Sequence, residues 1–158
     1  MEQKRILFIV NPISGTHSKE NVPVWIEKTI NKKAFAPEIV FTQYAGHAVE
    51  LTRQAVEEGF DSVVSVGGDG TCNEIARSLV HTDTALGIVP VGSGNGLARH
   101  LGIPLNPERA LQILNEAVVD RIDYFTANDR PFFCPCGIGF DPWVRKKFAE
   151  HTPRSTAT

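Results

Sequence analysis

The stretch Val63-Val64-Ser65-Val66-Gly67-Gly68-Asp69-Gly70-Thr71-Cys72-Asn73-Glu74 decides how this chain is read. A β-branched apolar run stops at two glycines, an aspartate and a third glycine, and a helical pattern begins at once. Glycine accepts positive φ and lets another molecule approach the backbone closely. The first turn of a helix leaves N–H groups unpaired, and these, with the helix dipole, attract anions. Strand, glycine turn and helix start together predict a phosphate cradle. Asp69 adds a carboxylate able to hold a cation or a proton beside it.

Working outward, Ile6–Val10 is a short apolar run closed by Asn11-Pro12 and reads as a buried strand. Val22, Trp25, Ile26 and Ile30 share one helical face. Glu38–Thr42 is rich in β-formers, and Gly46 opens a helix that turns Ala48, Leu51, Ala55 and Val56 inward and stops at Gly59. Ser62–Val66 is the third strand. Cys72, Ile75, Ala76 and Leu79 face inward on the next helix, and the capping-box spacing of Thr71 and Glu74 predicts that it starts at Thr71. Ala85–Val89 is the fourth strand and Gly96–Leu101 a short helix. Asn106-Pro107 caps another helix with Ala110, Leu111, Leu114 and Ala117 inward. Val118–Phe125 and Pro131–Cys136 read as later strands, Val144–Ala149 as a last helix, and His151–Thr158 as loop.

Strand and helix alternate from residue 6 to about residue 100, which predicts an α/β fold: a mainly parallel sheet flanked by helices on both faces. Ligands of such sheets bind beyond the carboxyl ends of the strands. Four turns fall there: Asn11 to Gly15, Thr42 to Gly46, Gly67 to Thr71, and Pro90 to Gly96. In a parallel sheet they line one rim, where a nucleotide can lie.

Size and composition set the bounds. The 158 residues fit one domain with a sizeable core, and 42% hydrophobic with 22% charged residues is ordinary for a globular chain. A net charge of −2 gives no general case for nucleic-acid binding. Arg145-Lys146-Lys147 reads as a solvated helix face. The run Ile6 to Val10 is too short for a signal core or a membrane span, so a cytoplasmic location is expected. Cys72, Cys134 and Cys136 read as reduced, buried thiols, and His47, His81 and His100 as surface or helix-end residues. The sequence has no G-x-x-x-x-G-K-[ST], no G-x-G-x-x-G after a strand and no G-x-S-x-G, which sets aside P-loop, Rossmann and α/β-hydrolase chemistry.

Three segments resemble the catalytic domain of diacylglycerol kinases and sphingoid-base kinases: Asn11-Pro12-x-Ser14-Gly15, Gly67-Gly68-Asp69-Gly70-Thr71-x-Asn73-Glu74, and Pro90-x-Gly92-Ser93-Gly94-Asn95-Gly96-Leu97-Ala98-Arg99. They stand in that family's order and at about its spacing, and Gly137-Ile138-Gly139-Phe140-Asp141 resembles the stretch that follows. The resemblance implies a nucleotide domain like that of NAD kinase and phosphofructokinase, and transfer of the ATP γ-phosphoryl group to a lipid hydroxyl with Mg²⁺. Carried over by position, it implies ATP contacts from Asn11, Pro12, Ile13, Ser14, Gly15, Thr42, Gly67, Gly68, Asp69, Gly70, Thr71, Cys72, Asn73, Glu74 and Ser93, with Gly94 and Asn95 shaping the same loop.

Asp69 would lie nearest the phosphates, and in sphingoid-base kinases the matching aspartate is taken as the base. Asp141 matches an acid that contacts the lipid headgroup. Magnesium ligands are not assigned within this chain. Members of the family run to about twice this length, as two-domain chains. Their β-rich C-terminal domain supplies a further acidic motif, metal ligands and much of the lipid pocket, and in bacterial diacylglycerol kinases the proposed base lies there. The chain therefore reads as one nucleotide-binding domain over 1–158, with residues from about 125 leading toward that second domain; alone it is expected to be incomplete, to bind nucleotide at most weakly and to show little or no turnover. Its implied partner is a lipid at a membrane surface, with the protein peripheral to it. An NAD-kinase-like enzyme acting on a soluble substrate, or a non-catalytic nucleotide-binding or interaction module, stands as the alternative.

Overall fold

The computed structural model describes residues 3–15 and 21–133. The order along the chain is β1 (Lys4–Val10), α1 (Val22–Thr29), β2 (Phe35–Phe41), α2 (His47–Glu57), β3 (Ser62–Gly67), α3 (Asp69–Leu79), β4 (Ala85–Pro90), α4 (Gly96–His100), α5 (Pro107–Leu114), β5 (Phe125–Ala127) and β6 (Arg130–Phe132). The first four strands form one sheet in the order β2-β1-β3-β4, and every neighbouring pair is parallel.

Alternation along the strands sends apolar groups to both faces, as a covered parallel sheet requires. On β1, Ile6, Phe8 and Val10 join Val64 and Val66 of β3 against α1 and α5, through Val22, Ile26, Ala110 and Leu111. Leu7, Ile9 and Val63 face the other way, against Ala48 and Ala55 of α2 and Ile75 and Leu79 of α3. A smaller cluster of Cys72, Ile88, Leu97 and Ala98 joins α3, β4 and α4. Phe8, Ile9 and Val10 are fully buried, each contributing roughly 1.5–3 kcal/mol by removal from water.

Local chemistry sets the element ends. Helix α2 closes in a Schellman turn: Gly59 is left-handed (φ +73°), Phe60 N–H donates to Ala55 O and Gly59 N–H to Val56 O. Asn106 caps α5 by accepting Arg109 N–H at 2.9 Å, with Pro107 in the first turn.

Several boundaries differ from the sequence-based expectation. Strand β2 starts at Phe35 and runs through Pro37, which an edge strand tolerates. Helix α3 starts at Asp69 with Gly68 as its N-cap, so Thr71 and Glu74 form no capping box; the Thr71 hydroxyl bonds across to Asn11 instead. Helix α5 ends at Leu114, which leaves Ala117 exposed beyond it. Residues 118–124 form no strand. Val118, Val119 and Ile122 meet no packed layer and are exposed. The strand is instead the short hairpin β5–β6, turned by Asn128 and Asp129 with φ of +49° and +60°, the backbone of a type I′ turn. The expectations for Cys134, Cys136, Asp141, Arg145 to Lys147, Val144–Ala149 and His151–Thr158 lie outside the described residues.

Candidate functional site: a backbone cradle at the sheet rim

Strands β1 and β3 are neighbours, yet the chain leaves β1 for β2 on one side and returns to β3 on the other. This reversal opens a crevice beyond their carboxyl ends. Asn11 leaves β1 there and is pinned on both sides. Its N–H donates to Val66 O at 3.0 Å, and its side-chain Nδ2 donates to Thr71 Oγ1 at 2.9 Å. Its Oδ1 accepts Ile13 N–H at 3.0 Å, and its carbonyl accepts the Ser14 hydroxyl at 3.0 Å, which folds Asn11 to Ser14 into a closed turn.

The glycines serve close approach more than positive φ. Gly67, Gly68 and Gly70 are not among the residues with positive φ. A Cβ on Gly67 would lie 2.7 Å from the Thr71 side chain, and one on Gly92 would lie 2.5 Å from Gly68 Cα. The backbones after β3 and β4 are therefore packed against each other. Gly15 combines both demands: φ is +66°, and a Cβ would stand 2.0 Å from Val91 O. Gly70 is different, since a Cβ there meets nothing within 4 Å. That open space lies over the first turn of α3, where Cys72 N–H to Gly68 O is the first rung of the helix ladder. The N–H groups of Gly70 and Thr71 precede that rung at the positive end of the helix dipole.

Asp69 links this turn to the loop after β4. Its Oδ1 accepts Gly96 N–H at 2.6 Å, and a Cβ on Gly94 would stand 2.5 Å from its Oδ2. The carboxylate is thus oriented sideways along the loop. Asn95 holds that loop in shape: it is left-handed (φ +54°), buried, and bonds Gly92 through both amide atoms, accepting N–H at 3.0 Å and donating to O at 2.7 Å. Arg99 Nε donates to Gly94 O at 2.9 Å. Gly68, Asp69, Cys72, Pro90, Asn95 and Leu97 are among the residues around a recess of about 10 Å³, room for about one water.

The structure therefore brings together Asn11 to Gly15, Gly67 to Thr71 and the loop carrying Ser93, Gly94 and Asn95. Pro12, Ile13 and Ser93 are exposed on the rim. Thr42 stands at the same rim, its N–H donating to Val10 O at 2.8 Å. Two positions turn elsewhere. Cys72 is buried in the cluster with Ile88, Leu97 and Ala98, and Asn73 Oδ1 accepts Phe133 N–H at 3.2 Å, tying α3 to the hairpin. Glu74 is half-buried on α3. Beside Thr42, Tyr44 stacks on His47 with centroids 4.5 Å apart and donates its hydroxyl to Glu50 Oε2 at 2.8 Å. That hydrogen bond to a carboxylate raises the Tyr44 pKa above its ordinary value. This rim stack follows from local i, i+3 and i, i+6 geometry that the glycine motifs did not draw attention to.

A helix N-terminus, backbone packed on backbone, and a single oriented carboxylate make this rim the candidate site of the α/β domain, an arrangement whose chemistry suits an anion. The chain belongs to a known family: residues 5–127 match the diacylglycerol kinase catalytic domain. A protein from Chromohalobacter salexigens named "Probable lipid kinase YegS-like" is 41% identical over 103 residues, covering 63% of this chain and 33% of that relative. A diacylglycerol kinase from Bacillus subtilis is 34% identical over 139 residues, covering 86% of this chain and 46% of its own length. A solved diacylglycerol kinase structure from Bacillus anthracis superposes with a TM-score of 0.71 at 27% identity, over 84% of this chain and 49% of that one. The chain thus spans between a third and a half of the lengths of these relatives.

Proposed function

We propose that this chain is the nucleotide-binding half of an ATP-dependent lipid kinase, which passes the γ-phosphoryl group to the hydroxyl of diacylglycerol or a sphingoid base. The observation that carries this reading is the meeting of three turns at the start of α3, where Asn11 bonds Thr71, Gly92 packs on Gly68 and Asp69 bonds Gly96, with Gly70 left open in that first turn. Phosphoryl transfer is mostly positioning and charge stabilisation. The N–H groups at Gly68 to Thr71 hold the phosphates; Asn11 and Thr71 fix the crevice between β1 and β3; Gly92 to Gly96 form its second wall; Thr42 and Ser14 line its rim. The family membership supports ATP as the donor.

Asp69 carries the catalytic role on this reading. A carboxylate beside a triphosphate repels it unless a cation lies between them. Among the described residues no group of three or more His, Cys, Asp or Glu side chains gathers as a metal site. Magnesium keeps several waters and is commonly held by one or two carboxylates plus substrate phosphates. The donor set fits that ion, with Asp69 as the protein's ligand, directly or through water, and the ion would offset charge on the phosphate oxygens. On this reading Asp69 also acts as the base for the acceptor hydroxyl, with Gly96 N–H fixing its orientation. Residues from about 125 onward lead, on this reading, toward the second domain of the family, which supplies the lipid pocket and further acids; Asp141 would contact the headgroup. Such an enzyme works in the cytoplasm at the membrane surface, and no helix among the described residues is long and apolar enough to cross a membrane.

The test has two parts. Calorimetry with Mg-ATP on the 158-residue chain should show binding. A chimaera with this chain in place of the matching part of the Bacillus subtilis diacylglycerol kinase should then transfer labelled phosphate from ATP to diacylglycerol or a sphingoid base and not to NAD. Asp69→Asn in that chimaera should fold normally, because an amide oxygen still accepts Gly96 N–H, and should lose transfer. Transfer to NAD instead, or undiminished transfer by Asp69→Asn, contradicts the proposal.

A further inference from the structure

A second concavity, of about 300 Å³, lies between α2, α3 and the tip of the β5–β6 hairpin. It is separate from the cradle: Arg77, in the last turn of α3, stands about 12 Å along the helix axis from Asp69. Its lining includes three arginines from three different elements: Arg53 of α2, Arg77 of α3 and Arg130 of β6. Asp129 is the one acid in the lining, so three positive charges and one negative leave +2 around the groove, in a chain whose net charge is −2.

None of the three guanidinium groups has a hydrogen-bond or ion-pair partner among the described residues. Elsewhere in the same molecule an arginine is matched: Arg5 pairs with Glu38 at 3.1 Å and donates to Glu58 O at 2.8 Å. A place in the last turn of α3 accounts for Arg77 alone, through the helix dipole; it does not account for Arg53 and Arg130 facing the same space. The hairpin is also fixed in position. Its tip is a two-residue turn with both φ positive, and Phe133 N–H is bonded to Asn73 of α3, which holds Arg130 over that helix. The Ser78 hydroxyl is already donated to Glu74 O at 3.0 Å, so the strong donors facing the groove are the guanidinium forks. Val49 supplies an apolar wall. Planar donor forks lining one groove without carboxylate partners suit the oxygens of a phosphate group, bidentate and charge-assisted.

We propose that this groove is a second anion site, which takes a compact phosphate dianion held by Arg53, Arg77 and Arg130, apart from and independent of the nucleotide cradle. The dianion is either free inorganic phosphate or the phosphomonoester headgroup of a lipid.

Two probes distinguish these sources. Inorganic phosphate is titrated calorimetrically into the full chain with Mg-ATP already saturating, so that the cradle is occupied; flotation with phosphatidylcholine vesicles, with and without phosphatidic acid, forms the second arm. Binding in either arm should survive saturating Mg-ATP, weaken with added salt, and fall by about tenfold or more in Arg53→Gln/Arg130→Gln. Arg77→Lys keeps the charge but loses the fork and should give an intermediate loss. Phosphate binding with no vesicle preference assigns the free anion; vesicle binding alone assigns the lipid headgroup. Absence of binding in both arms overturns the proposal, as does binding that the arginine substitutions leave unchanged in a chain whose circular dichroism is unaltered.

Discussion

Replacing Gly70 by alanine separates the stability of the cradle from its use. Gly70 lies in the first turn of α3 with φ outside the left-handed region, and its Cβ would meet no atom within 4 Å. An alanine is compatible with that backbone, so the substitution should stabilise the fold by about 0.4–1 kcal/mol through the unfolded chain. For a domain of this size that is a rise in Tm of about 1–4 °C. The ligand feels the reverse. If phosphate oxygens occupy the space over the helix start, the methyl group displaces them and removes about one charge-assisted hydrogen bond, roughly 1.5–3 kcal/mol, or about ten- to a hundredfold in Kd. Gly15→Ala is the opposite control: its left-handed φ and the 2.0 Å approach to Val91 O predict a loss of about 2–5 kcal/mol in stability. Thermal melts and Mg-ATP calorimetry on both variants supply the numbers. A Gly70→Ala protein that melts higher and binds Mg-ATP as tightly as the parent would refute the placement of phosphate there. A lowered Tm would refute the reading of its backbone.

Two further substitutions test what holds the rim together. Thr71→Val keeps the β-branch but strips the acceptor from Asn11 Nδ2; it should cost about 1–3 kcal/mol in urea denaturation, and the double variant with Asn11→Ala should lose less than the sum of the two single losses, a measurable coupling in a double-mutant cycle, although Asn11→Ala also frees Ile13 N–H. Glu50→Ala should return the Tyr44 pKa toward the ordinary tyrosine value, because the raising comes first from the hydrogen bond to Glu50. The sign follows from linkage: a phenol whose folded pKa is raised lends stability below its unfolded pKa and loses it as pH rises through the folded one. Ultraviolet titration of phenolate absorbance, with Tyr44→Phe to separate it from Tyr124, reads the shift; an unchanged titration in Glu50→Ala would remove that hydrogen bond from the account.

The parallel sheet and its helices are legible because three of the four apolar runs stop at strong breakers, Asn11-Pro12, Gly67-Gly68 and Pro90. Asn106-Pro107 and Gly59 announced their helix ends for the same reason: their preferences are local. Pairs distant in sequence were not legible. The spacing of Thr71 and Glu74 points to a helix start at Thr71, whereas Asn11, 60 positions away, donates its side-chain N–H to the Thr71 hydroxyl oxygen. Nothing local marks that Gly92 must pack on Gly68, or that Asp69 turns to Gly96 N–H. Residues 118–124 carry strand-forming side chains, yet no neighbouring strand pairs with them among the described residues. The hairpin turn at Asn128-Asp129 does carry a local signal, two residue types that tolerate positive φ.

The central claim is that three turns grip one phosphorylated ligand at the rim of the sheet. Amide ¹H–¹⁵N spectra of the chain, recorded while the non-hydrolysable Mg-AMP-PNP is titrated in, test it most directly. The account predicts saturable shifts confined to Asn11 to Gly15, Thr42 to Tyr44, Gly67 to Thr71 and Gly92 to Gly96, all with one Kd. Shifts centred elsewhere, or saturating separately in the different turns, would contradict it.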